Sequence, residues 1–135
     1  MWKETIICVA IVIVIFVANI ITQNYTVDSV ETLSDKLGKV KELALELDED
    51  ETKLQSENEI KEKIGETNDN WHKRHDKLAY FIEHDELEKV ETYLTGINSY
   101  LETKEYGEAT SEIEKAIFVL KHIEDKYSFS LENIF

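Results

Sequence analysis

The chain has 135 residues, with no proline, four glycines, one cysteine and a formal charge of −14. Cys8 has no partner for an intrachain disulfide, and the acidic balance works against binding nucleic acid or anionic lipid head groups. A proline-free chain rich in Glu, Lys, Leu and Ile favours long helices, so the expected fold class is all-α.

From Thr5 to Ile21 every residue is apolar or weakly polar except Asn19. At about 1.5 Å per residue this run reaches roughly 25 Å, and Trp2 and Thr22 carry it towards the ~30 Å of a bilayer core. It reads as a single transmembrane helix meeting membrane lipid through residues 5–21. The chain then divides into an anchor over 1–22 and an acidic helical domain over 23–135. A cleaved signal fits less well. The run exceeds the ~7–15 apolar residues of a signal peptide, and Val17-Ala18-Asn19 lacks the small residues of a cleavage site. Cys8 lies inside the run, where it reads as a packing residue. Lys3 and the amino terminus precede the run, whereas Asp28, Glu31 and Asp35 follow it before the first base, Lys36. The flanking bases therefore predict a cytoplasmic N-terminus and an extracytoplasmic domain at the cell membrane.

Asn24-Tyr25-Thr26 bridges the exit from the span, and Tyr25 suits a membrane–water interface. From Val27 a helical pattern begins. Val30, Leu33, Leu37, Val40, Ala44 and Leu47 recur three and four apart, an a/d seam that can continue directly from the span. The acids Asp48 to Glu51 mark a turn. The next helix places Leu54, Ile60, Ile64, Thr67, Trp71, His75, Leu78 and Ile82 on one face, carrying its phase through Gly65. At His84-Asp85 the phase slips, and Asp85 with Glu88 predicts a capping box. Leu87, Val90, Leu94, Ile97 and Leu101 form the cleanest seam. After a turn over 103–107, Ala109, Ile113, Ala116, Ile117, Leu120, Ile123 and Tyr127 follow. The tail carries Phe129, Leu131, Ile134 and Phe135, expected to fold back on the bundle. Glu59 to Ile64 echoes Glu112 to Ile117, so the helices are expected as an antiparallel bundle or two stacked hairpins.

Catalytic constellations are hard to find. No serine sits in a nucleophile elbow, and no glycine loop cradles phosphate. The chain is expected to be no enzyme and to need no cofactor. His72 and His75 stand one helical turn apart with Asp69 and Asp76 near, the form of a weak metal-ligand pair. Lys73 and Arg74 between them oppose a cation. Trp71 reads as a core anchor, with Arg74 beside it in a local positive patch.

The apolar N-terminus, Trp71, the His84-Asp85-Glu86-Leu87 segment and the Ser130 to Phe135 ending together resemble the bacterial domain of unknown function 4363 family. The resemblance covers nearly the whole chain. It implies a small membrane-anchored helical protein of clostridial and bacillus-like bacteria, often encoded near another membrane protein, with no defined functional residue. The expected role is a non-enzymatic accessory or scaffold subunit contacting a membrane or envelope protein. Val30, Leu33, Leu37, Val40, Trp71 and Arg74 are the expected partner-binding residues, and the seam could equally pair with a second copy or pack inside the bundle. The alternative is an extracytoplasmic sensor or metal-binding module using His72 and His75.

Overall fold

The computed structural model of the chain describes residues 1–127. Four helices follow in order: α1 over Trp2–Glu49, α2 over Leu54–Leu78, α3 over His84–Glu102 and α4 over Tyr106–Tyr127. Among the described residues there is no strand. The fold-back expected of Phe129, Leu131, Ile134 and Phe135 lies outside the described residues.

α1 is one unbroken helix of 48 residues, roughly 72 Å long. Two different surfaces share it. Met1 to Ile21 stay exposed, including Cys8. From Thr26 onward one face is buried: Thr26, Val30, Leu33, Leu37, Val40, Ala44 and Leu47, at heptad spacing. Thr26 and Ser29 extend this face towards the apolar run without leaving a polar group unmet. Their hydroxyls donate to the carbonyls of Thr22 and Tyr25, at 2.8 and 2.6 Å.

The three shorter helices close a bundle around that face. Short turns join successive helices, so each runs antiparallel to the one before it. α1 packs between α2 and α4, and α3 packs on α4, while α2 and α3 barely touch. The core joins Leu37, Val40, Ile60, Trp71, Leu87, Val90, Ile97, Ile113 and Leu120 with their neighbours. Of the two expected arrangements, the bundle is the one formed. The two echoing segments, on α2 and α4, flank α1 from either side.

Three local expectations are corrected. Leu54 is 72% exposed, because it opens α2 beyond the reach of the neighbouring helices. No capping box forms at Asp85: α3 begins two residues earlier than that cap implies, with Glu83 as its cap at φ −58° and ψ 135°. Tyr127 sets that start, its hydroxyl accepting the Glu83 backbone N–H at 3.0 Å. The third turn is shorter than 103–107, and Tyr106 and Gly107 already belong to α4. Lys104 takes φ 59° there, and the Glu105 and Lys104 amides donate back to Tyr100 and Leu101 at 2.8 and 3.2 Å. This is a Schellman closure with lysine where glycine is usual.

Candidate functional site

The expected partner-binding residues are used inside the chain. Val30, Leu33, Leu37 and Val40 are core residues of the bundle, so the α1 seam is intramolecular. The physical reason is burial: a face that packs against α2 and α4 has no surface left to offer without opening the domain. Trp71 is buried too, its ring edge-on to His75 with centroids 5.5 Å apart. Arg74 is half-buried and committed. Its Nη1 donates to Asp28 Oδ2 at 2.7 Å and to Ser29 Oγ at 3.0 Å, and its guanidinium lies 5.8 Å from the Tyr25 ring centre. Arg74 therefore ties the end of α2 to α1, where the domain begins.

The histidines do not converge. His72 Nδ1 lies 2.7 Å from the Asn68 carbonyl, a turn earlier on its own helix. His75 faces Trp71 and sits 3.5 Å from Asp76 and 4.0 Å from Glu91. Among the described residues no group of three or more His, Cys, Asp or Glu gathers around one point.

What the sequence pattern did not reveal is a cleft. Because α2 and α3 splay, a cavity of about 360 Å³ opens between them, floored by Ile60, Ile64 and Leu101 and bounded by Glu57, Lys61 and Lys104. Its size falls in the range of ligand or side-chain pockets. One side is bridged halfway along by an amide pair, Asn68 Nδ2 donating to Asn98 Oδ1 at 2.9 Å. At its end Tyr106, only 3% exposed, lines the cleft. Burial, and then the nearby Glu57 carboxylate, push the Tyr106 hydroxyl above its ordinary value. Glu57 receives Lys61 at 3.1 Å and Lys104 at 3.3 Å, and these two ammonium groups hold its carboxyl below the usual glutamate range. The cleft is thus apolar inside with a paired-charge rim.

A second missed residue is Glu86, a carboxylate buried beneath α4 at the start of α3. Lys126 and His122 stand 3.5 and 3.8 Å from its Oε1, and Lys89 stands 3.7 Å from Oε2. Two lysines and a histidine around one acid make this a structural knot joining α3 to α4.

A long apolar helix running without a break into a closed four-helix bundle, with one lateral cleft, defines a class of helical proteins whose first helix is long and apolar enough to cross a membrane. The chain belongs to the domain of unknown function (DUF4363) family, whose profile matches residues 20–134. That match covers the whole bundle and begins where the apolar run ends. None of the curated proteins and none of the solved structures compared with the chain matches it.

Proposed function

We propose that this protein is a non-enzymatic accessory or scaffold subunit. Residues 5–21 hold it in the cell membrane, with the N-terminus cytoplasmic and the helical domain outside. The single observation that carries the reading is the continuity of α1: a fully exposed apolar run and a buried heptad face occupy one helix without a joint. Such a helix fixes the bundle upright at the membrane surface. The cleft between α2 and α3 then opens at the end of the bundle away from the membrane, where an extracytoplasmic segment of a neighbouring membrane protein would meet it. Ile60 and Ile64 form its buried floor, and Leu101, only partly buried, replaces the α1 seam as the partner-facing residue.

The test is site-specific photocrosslinking of the full-length protein in its native membrane. Crosslinkers at Lys61 and Lys104 probe the cleft rim, and one at the exposed Phe118 probes the outer face of α4. The accessory reading expects one membrane protein recovered from the cleft positions alone, with recovery lost in Leu101→Arg while helical content is kept. Equal recovery from all three positions, or self-crosslinks only, overturns it.

A further inference from the structure

The bundle end nearest the apolar run carries three aromatic rings packed against the edge of the core, Tyr25, Phe81 and Tyr127, and a fourth, Tyr80, that stands clear of it. Tyr25 lies four residues beyond Ile21, about 6 Å along the helix. Phe81, on the turn between α2 and α3, packs edge-on against Tyr25 with ring centroids 6.3 Å apart. That contact fixes the height of the turn: it stands one helical turn above the end of the apolar run. Interfacial head-group zones occupy roughly 5–7 Å on each side of the hydrocarbon core. The turn therefore lies in that zone if residues 5–21 span the membrane, the reading on which this inference rests.

Tyr80, next to Phe81, is 89% exposed. Three cations near it are engaged within the protein. Arg74 pairs with Asp28 at 2.7 Å, Lys126 with Glu83 at 3.1 Å, and the Lys77 ammonium lies over the Tyr25 ring at 5.7 Å. None of the three is directed at Tyr80, which stays open to solvent. Beside it, Phe81 and Tyr127 border a groove of about 390 Å³ that runs down to Asn19 and Thr22 on α1. Rings with an apolar body and a polar tip favour the boundary between head groups and acyl chains.

We propose that the α2–α3 turn is a lipid-contacting foot of the domain. Tyr80 seats among phospholipid head groups and Phe81 borders the groove that admits a head group beside α1. The contact is driven by aromatic burial and not by charge, so it does not depend on anionic lipid. It gives the upright domain a second point of attachment, off the axis of α1, and so fixes its rotation about that axis.

Cys8 is the only cysteine, which makes the test direct. In a Cys8→Ser background, Tyr80→Cys and Leu54→Cys each take one environment-sensitive fluorophore. Both parent side chains are strongly exposed, at opposite ends of the bundle, so labelling leaves the core intact. The full-length proteins are reconstituted in phosphatidylcholine vesicles, with and without phosphatidylglycerol, and floated. The expected result is several-fold weaker iodide quenching at position 80 than at 54, strong quenching at 80 by head-group spin-labelled lipid, and the same outcome in both lipid mixtures. Floated protein with equal iodide quenching at both positions overturns the foot and leaves the span standing. Shielding that requires phosphatidylglycerol overturns the aromatic mechanism. Protein that fails to float overturns the span and the foot together.

Discussion

The Tyr25 ring stands edge-on to Phe81, at an interplanar angle of 79°, and so joins the first turn of the domain to the turn between α2 and α3. Tyr25 is also flanked by Arg74 and Lys77, both within 6 Å of its ring centre. One aromatic side chain thus collects two cations and a second ring where the apolar run meets the bundle. Cation–π and aromatic contacts of this kind each add about 0.5–1.5 kcal/mol at partly exposed sites. Phe81→Ala is expected to lower the stability of the full-length protein by about 1–3 kcal/mol, less than a fully buried Phe would cost. Thermal melting in detergent micelles checks this, and an unchanged midpoint would show that the joint is not part of the cooperative unit.

Arg74 and Asp28 should not be equivalent, although they form one ion pair. Asp28 is largely exposed, so losing its carboxylate removes only a surface pair, worth under about 1 kcal/mol. Arg74 also meets Ser29 and the Tyr25 ring, and its stem packs where α2 ends. Arg74→Ala is expected to cost about 1–2 kcal/mol and Asp28→Ala clearly less. Denaturant titration of both variants decides it, and equal losses would mean that the charge pair alone holds this joint.

The α1 seam gives a sharper contrast. Leu37 and Leu94 are buried, while Leu101 is only partly buried at the cleft. Leu37→Ala and Leu94→Ala are each expected to cost about 2–5 kcal/mol, because each leaves a hole in a packed core. Leu101→Ala should cost distinctly less. Circular dichroism melts of the three variants are the check. If Leu37→Ala left stability intact, the seam would not be core and a partner role for it would return.

The heptad spacing of Val30 to Leu47 made α1 legible, and the phase carried through Gly65 made α2 legible, because both are set by a period the backbone imposes. Trp71 was legible as core from size and register. The start of α3 was not, since Tyr127 meets its cap residue Glu83 from 44 residues away and no local pattern records that hydrogen bond. Arg74 read as surface charge for the same reason: Asp28 is distant in sequence. The cleft was hidden because periodicity shows which face is apolar and not which pair of helices fails to meet.

Gly38 and Gly65 lie in helix interiors, and a Cβ at either would meet nothing within 4 Å. Gly38→Ala and Gly65→Ala should each stabilise by about 0.5–1 kcal/mol, by restricting the unfolded chain at no native cost. Gly96 differs, because a Cβ there would meet the Glu112 carboxylate at 3.1 Å. Glu112 also holds Lys115 at 2.7 Å, so moving it disturbs an existing pair. Gly96→Ala should gain less than the other two or nothing. Lys104→Gly should also stabilise, by about 0.5–1 kcal/mol, since glycine carries no penalty at φ 59° and the pair lost with Glu57 is exposed. Melting midpoints of the four variants test the ranking, and a loss in Gly38→Ala would contradict the open surroundings of that residue.

Glu57 should make part of the stability depend on acid. Lys61 and Lys104 donate to its carboxylate and lower its pKa below the ordinary 4.5. A carboxyl whose folded pKa is lowered binds protons less readily in the folded than in the unfolded state. Its contribution is present in full above the ordinary value. It shrinks as the pH falls through that value and vanishes below the folded one. The stability difference between wild type and Glu57→Gln is therefore expected to favour wild type at neutral pH and to close as the pH drops below about 4.5. Added salt should narrow it at neutral pH, because the pairs are at the surface. Paired melts across this pH range, at low and high salt, measure it. A difference that stays constant into acid would show that Lys61 and Lys104 do not hold the Glu57 charge, and that the cleft rim owes nothing to this ion pair.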